Sequence, residues 1–327
     1  MVIGNWINPC PLNNQLGMPQ LLGAFFRLVR WPNLVFIFLT QVLFYYVILL
    51  PGFGPLQPHK LTILLFYLLT ASSVLIAAAG YIINDYFDLN IDRVNKPKRL
   101  VVDKLIKRRW TILWHWILSG IGVLLGFYVS FVLRNPIVGL ANLGCVFLLW
   151  FYSTTFKRKL IIGNVVISLL TAWVILVLYT AEIRLSANPA YRDMITRLFK
   201  FAIVYSGFAF IISLIREVVK DIEDMDGDAK YGCRTMPIVW GVNVAKVFAG
   251  TWIVVLLGSL VILQFYVLQK AWWPLILYGV VLLDLPLLWI LRKLYAAQTK
   301  KDYHLLSNAI KGVMLAGILS MLILNFV

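Results

Sequence analysis

The feature that most constrains this chain is the recurrence of apolar runs long enough to cross a bilayer. A hydrocarbon core requires roughly 20 mostly apolar residues in helical form. Such runs fall at residues 34–50, 61–83, 111–132, 137–152, 161–180, 199–219, 242–266, 272–292 and 306–327. With 61% hydrophobic residues, 13% charged and a mean hydropathy of +0.85, the chain lies outside soluble globular usage. Backbone polar groups in lipid must be satisfied within the segment, and the runs lack the two-residue alternation of barrel strands. The expected fold class is therefore all-α, a polytopic membrane protein with nine transmembrane helices in one bundle. Residues 1–30 read as an N-terminal tail and 31–327 as a single transmembrane domain.

The opening string MVIGNWINPCPLNNQLGMPQ lacks the basic start and small-residue cleavage pattern of a secretory signal and is expected to stay attached. Cys10, Cys145 and Cys233 are odd in number and widely spaced, so neither a disulfide framework nor a zinc site is expected. His59, His115 and His304 are equally scattered and read as interfacial or packed side chains.

Net charge is +16. In a soluble domain this would raise nucleic-acid binding; here its placement sets topology instead, and no nucleic-acid partner is expected. With alternating spans, only Lys60, Arg134, Arg184, Arg192, Arg197, Lys200 and Lys270 of the 30 basic residues fall on one side. The positive-inside rule then puts the N-terminus and the basic loops in the cytoplasm and the C-terminus opposite, with the plasma or inner membrane the expected location. Anionic membrane lipids would attract the basic loops.

The acids run against this trend. Nine of the 14 Asp and Glu lie in two short windows, one after the second span and one after the sixth. NDYFDLNID carries Asp85, Asp88 and Asp92; KDIEDMDGD carries Asp221, Asp224 and Asp228. Both are D-x-x-D-x-x-x-D, an internal repeat over 84–92 and 220–228. At about 100° per residue, each trio would occupy an arc of about 60° on one continuous helix. Glu217 would join the second face, and Gly227 is the candidate helix stop before Asp228.

Like charges on one face repel, so a compensating ligand is expected. Hard oxygen donors suit Mg²⁺, which takes one or two carboxylates per ion and completes its shell with water and phosphate oxygens. Two such faces across a bundle would leave room between them for a diphosphate. A solvated helix end paired to Arg93, Lys96, Lys220 or Lys230 would explain one motif better than two at the same spacing. A calcium-loop reading of DMDGDAKYG fails because Gly227 is the fourth residue from Asp224 and Thr235 stands at position twelve.

At these residues the chain resembles the UbiA superfamily of intramembrane prenyltransferases. Asn84, Asp85, Asp88 and Asp92 match its first signature, and Asp221, Asp224 and Asp228 its second. RWPN, from Arg30 to Asn33, is similar to the opening motif, and WFYSTTFKRKLIIGN at 150–164 to the family's Y-S-x-x-L-K and G-N strings. REVVKDIEDMDGDAKYGCRTMP is closest to the branch of digeranylgeranylglyceryl phosphate synthases and chlorophyll synthases. The loop at 98–110, KRLVVDKLIKRRW, departs from the R-P-I-P-S-G usual there. The resemblance implies nine helices around a central cavity, Mg²⁺ dependence, and transfer of a polyprenyl group from its diphosphate to a lipophilic acceptor.

On this reading Asp85, Asp88, Asp92, Asp221, Asp224 and Asp228 bind the metal. Asn84, Arg99, Lys157 and Lys220 are placed to contact the phosphates, with Tyr152 assisting Lys157 and Asn33 contributed by the opening motif. Tyr81, Tyr86 and Phe87 are candidates to face an allyl cation. A glyceryl-phosphate ether such as geranylgeranylglyceryl phosphate is the favoured acceptor, an aromatic quinone or pigment precursor the alternative. The rival from another class is a divalent-cation transporter, since intramembrane acids often line ion pathways; Asp284 is the main acid within a span. A CDP-alcohol phosphatidyltransferase would need a D-G-x-x-A-R string, which this chain lacks.

Overall fold

The computed structural model describes residues 18–53, 60–97, 100–182 and 192–324. Cys10, His59, Arg99 and Arg184 lie outside them. Nine helices in these segments have the length and composition to span a membrane, the number read from the sequence.

A short helix, α1 (Met18–Leu28), precedes the first span, so the segment expected as a tail contains a packed element. Ala24, Leu28 and Val29 bury against Ala78, Ala79 and Ile82, while Leu21, Leu22 and Phe26 stay exposed. Arg30, at φ 52°, makes the corner into α2 (Trp31–Gly52), where Pro32 suits the first turn because its missing N–H has no helical partner to lose. The helix α3 (Ile63–Phe87) is followed, after Asp88 alone, by α4 (Leu89–Asn95). Then come α5 (Arg108–Leu133), α6 (Pro136–Thr154) and α7 (Ile162–Glu182).

The helix α8 (Arg192–Glu223) has 32 residues, about 48 Å of helix against a hydrocarbon core of about 30 Å. Its excess length carries Glu217, Asp221 and Glu223 towards one membrane face. Two short helices follow, α9 (Met225–Lys230) and α10 (Met236–Val239), and the chain ends in α11 (Val242–Leu268), α12 (Trp273–Ala296) and α13 (Lys300–Ile323).

Lipid gives little hydrophobic drive to bring helices together, so small residues and interhelical hydrogen bonds carry the packing. Ser72 Oγ on α3 donates to the Gly122 carbonyl of α5 at 2.6 Å, and Asn142 Nδ2 on α6 donates to Ser72 Oγ at 3.1 Å. A Cβ at Gly126 would lie 2.5 Å from Asn142 Nδ2, so the glycine is what lets α5 and α6 close. Gln41 ties α2 to α3 and α7 through Ser73 Oγ at 3.1 Å and the Val174 carbonyl at 2.9 Å. At the membrane face away from the aspartate motifs, the Glu182 carboxylate accepts from the Lys60 and Leu61 amides, both at 2.7 Å. Asp284 accepts from Gln264 of α11 at 2.6 Å, an interhelical link within the bundle.

Apolar packing falls into three groups. One joins α2, α3, α7 and α8 around Phe44, Tyr45 and Phe66. A second joins α8 to α11, α12 and α13 around Ile212, Ile253 and Ile310. The third surrounds the first aspartate motif and includes Val101 and Val102 from the atypical loop. That loop closes on itself through a Val102–Ile106 bridge, with Asp103 at φ 65°, so its apolar residues serve as packing against α1 and α4.

Candidate active site

Both motifs are interrupted at their middle aspartate. Asp88 (φ −86°, ψ 0°) separates α3 from α4, and Asp224 (φ −96°, ψ 3°) separates α8 from α9. The expected single arc on one continuous helix is therefore corrected. Hydrogen bonds four residues apart survive the break: Asp88 N donates to Asn84 O at 2.9 Å and Asp92 N to Asp88 O at 2.8 Å. In the second copy Asp224 N donates to Lys220 O at 2.9 Å and Asp228 N to Asp224 O at 3.2 Å.

The breaks let α4 and α9 fold onto one another. Asn95 Nδ2 donates to the Asp224 carbonyl at 2.8 Å, and Asn95 Oδ1 accepts from the Gly227 amide at 3.0 Å. A Cβ at Gly227 would lie 2.5 Å from the Asn95 side chain. Gly227 is thus a close-approach residue inside α9, and the expectation that it stops the helix is overturned.

The aspartates meet cations and amides. Arg30 holds Asp85 at 2.6 Å, Lys96 holds Asp224 at 2.6 Å, and Lys157 bonds Asp88, which also accepts from Asn84 Nδ2 at 2.7 Å. Asp221 accepts from Asn164 Nδ2 at 2.8 Å. Burial and the neighbouring Asp224 and Asp88 push Asp228 up to about 6 against the pull of Lys157. Burial and Asp88 likewise raise Asp92. Asp224 is held below the usual carboxylate range: burial opposes this, but Lys96 and Lys220 outweigh it. Burial acts to discharge Lys157, and Asp88, with Tyr152 and Asp92, holds it protonated instead.

The donor set suits Mg²⁺. All the motif oxygens are hard ligands, and the buried Oδ1 atoms of Asn84 and Asp224, one from each motif, accept no hydrogen bond. Buried acceptors are rarely left unmatched, and a hard cation satisfies them. Among the described residues no three carboxylate, histidine or cysteine side chains converge as a ready-made ion cage; Mg²⁺ asks only one or two carboxylates per ion.

Tyr152 lies in the field shared by Glu217, Lys157, Asp221 and Asp88. Lys220 sits 3.9 Å from Glu217 and acts on Asp221 and Asp224. Asn33 neighbours the Tyr81 hydroxyl, one turn from the motif. Arg30 stacks on the Tyr81 ring at 5.2 Å and Arg108 on Tyr86 at 4.6 Å, while Phe87 packs edge-on to Trp150 at 5.8 Å. One face of Tyr81 and one of Tyr86 thus carry a resident guanidinium, and Phe87 meets Trp150. His115 is buried and its Nδ1 lies 3.0 Å from the Ala79 carbonyl; His304 meets Glu223 at 2.8 Å.

Four contributors went unnamed as site residues at the sequence level: Arg30, Asn95, Lys96 and Asn164. Arg30 opens the RWPN string and Asn164 closes the 150–164 string, so both were in view. Lys96 was legible as an ion-pair partner; nothing marked Asn95.

The UbiA prenyltransferase family profile matches residues 38–312, and the chain belongs to that family. Among its relatives, a digeranylgeranylglyceryl phosphate synthase of Methanosphaera stadtmanae is 32% identical over 52% of this chain and 56% of its own length. Aligned with that relative, the chain spans just over half of it. The Thermococcus gammatolerans enzyme of the same name is 28% identical over 92% of this chain and 98% of its own. A solved UbiA homologue from Archaeoglobus fulgidus, bound to DMAPP and Mg²⁺, superposes with a TM-score of 0.56 at 17% identity, covering 90% of this chain and 99% of that one. That likeness establishes the fold: this is a multi-pass, helical membrane protein.

Proposed function

We propose that the chain transfers a prenyl group from a prenyl diphosphate to a lipophilic acceptor at the joined aspartate motifs. The acceptor we favour is a glyceryl-phosphate ether lipid such as geranylgeranylglyceryl phosphate, in keeping with the names of the relatives. The carrying observation is the clasp of Asn95 on Asp224 and Gly227, which seats two motifs with the same backbone break against each other beside Lys157. The ligands of the Archaeoglobus fulgidus homologue support the donor and the metal.

In this reading Asp85, Asp88, Asp92, Asp221, Asp224 and Asp228 hold Mg²⁺. The bound ion supplies Lewis-acid neutralisation of the charge that grows on the leaving diphosphate. Lys157, kept cationic by Asp88, donates N–H to the diphosphate oxygens, and Asn84 and Lys220 contact the same group. Tyr152 and Asn33 orient these side chains, and Arg99, outside the described residues, keeps its assignment as a phosphate contact. Asn164 aims Asp221. The apolar interior takes the prenyl tail and keeps water from the reacting carbon. Residues 31–327 then act as one domain built on the motif repeat. The basic loops share the membrane side of the motifs, which supports a cytoplasmic site, and the plasma or inner membrane is the location we propose.

The test incubates the purified protein with Mg²⁺, geranylgeranyl diphosphate and separate acceptors: geranylgeranylglyceryl phosphate, phosphate-free geranylgeranylglycerol and hydroxylated aromatic acids. Mass spectrometry should find a doubly prenylated glyceryl phosphate. Absence of diphosphate release with every acceptor overturns the assignment, and Mg²⁺ flux into liposomes would favour the transporter.

A further inference from the structure

A second charged cluster lies deeper in the bundle than the aspartates. On α8, Arg216 Nη1 donates to Glu217 at 2.9 Å and Lys220 lies 3.9 Å from the same carboxylate. Arg216 is five residues before Asp221, about 7 Å along the helix towards the interior. Lys311 on α13 faces the same place, within electrostatic reach of Arg216, Lys220, Arg30 and Glu217. The residue before it, Ile310, is fully buried in the packing group that also holds Ile212 and Ile215, so α13 runs against α8 at this level.

The charges there do not balance. Arg30 is committed to Asp85 at 2.6 Å and Lys220 also serves Asp221 and Asp224, leaving Arg216 and Lys311 to share Glu217. Arg216 Nε is buried and has no hydrogen-bond acceptor. Cations held inside a bundle at this depth are costly unless an anion joins them. Arg216, Glu217 and Lys220 retain 16%, 12% and 25% side-chain exposure, enough for a ligand to reach them. The aspartate motifs account for the donor diphosphate, and nothing in that chemistry uses Arg216 or Lys311.

We infer that Arg216 and Lys311 form a second anion site that holds the phosphate monoester of the acceptor, with Lys220 standing between it and the donor diphosphate. The inference rests on the prenyl-transfer reading and deepens it. In a glyceryl phosphate only a few bonds separate the phosphate from the free hydroxyl. A phosphate anchored one to two turns inside the motifs therefore keeps that hydroxyl close to the carbon that leaves the diphosphate. The fork of Arg216 suits phosphate oxygens, and Lys311 adds a point charge from the adjoining helix. Discrimination follows from the same groups: an acceptor without phosphate would leave them buried and unpaired.

The experiment measures KM for donor and acceptor separately, with Mg²⁺, in wild type, Lys311→Gln, Lys311→Arg and Arg216→Gln. Lys311→Gln should raise the KM for geranylgeranylglyceryl phosphate roughly tenfold, the scale of one lost charge-assisted hydrogen bond, with the KM for geranylgeranyl diphosphate unchanged. Lys311→Arg should restore most of the loss. Arg216→Gln should act in the same direction, and because it disturbs Glu217 as well, Lys311→Gln decides if Arg216→Gln misfolds. The wild-type preference for the phosphorylated acceptor over geranylgeranylglycerol should shrink in Lys311→Gln. Parallel rises in both KM values, an unchanged acceptor KM, or wild-type transfer to the phosphate-free acceptor with equal efficiency overturns the second site while leaving prenyl transfer standing. If wild type prenylates no acceptor, the parent reading fails instead.

Discussion

At the residue scale, the aspartates are unequal. Asp88 and Asp224 sit at the backbone breaks and bond Lys157 and Lys96, and each belongs to the motif that carries a buried unmatched oxygen. Asp88→Ala or Asp224→Ala is expected to lower turnover at least about a hundredfold, the scale on which lost transition-state charge stabilisation is felt. Single-turnover prenyl transfer checks this. Lys157→Met should cost about as much and raise the KM for prenyl diphosphate. Asp228 gives a pH dependence with a defined sign. Its carboxyl is raised to about 6 by burial and acidic neighbours, so protons compete with metal as the pH falls through that value. The Mg²⁺ concentration for half-maximal activity should climb below about pH 6 and flatten above about pH 7, as metal binding needs the ionised ligand. A flat profile from pH 5 to 8 would remove Asp228 from the metal site.

At the scale of elements, the site is made by two helix interruptions and the clasp between them. Asn95→Ala would free the Asp224 carbonyl and the Gly227 amide at once, and a buried unpaired group costs about 1–3 kcal/mol. A higher Mg²⁺ requirement is expected, with the thermal midpoint lowered by only a few degrees. Gly227→Val should be worse, because its side chain must displace Asn95. Little of this could be read from the sequence. The repeat, its spacing and the chemistry of six aspartates were legible, since they are local. The interruption at Asp88 and Asp224 was not, because it serves contacts between α4 and α9 from segments more than a hundred residues apart. Helical periodicity alone therefore drew one arc where there are two helices. Arg30 and Asn164 could be seen in their strings, but their partners Asp85 and Asp221 could not be assigned without the fold.

At the scale of the whole molecule, nine spans followed directly from length and apolarity, and only their ends shifted. The ends moved because helices continue past the apolar run wherever neighbouring helices satisfy their polar residues, as α8 does from Arg192 to Glu223. Glycines 122 and 126 set how closely α5 approaches α3 and α6. Gly126→Leu should separate α5 and α6 and lower the thermal midpoint in detergent, with the KM for prenyl diphosphate little changed if the resulting fold is retained. Orientation is tested by cysteine labelling from outside sealed vesicles: a cysteine placed at Lys104 should be protected, and one at Lys270 labelled.

The pairing of each motif with a lysine or arginine bears on how such a chain reaches its membrane at all. A translocon must pass these acidic segments to lipid before any cargo arrives, and partners drawn from the same polypeptide let the newborn protein settle without waiting for ions from the cytosol. Starving cells of magnesium should then leave the amount of inserted protein untouched while silencing it.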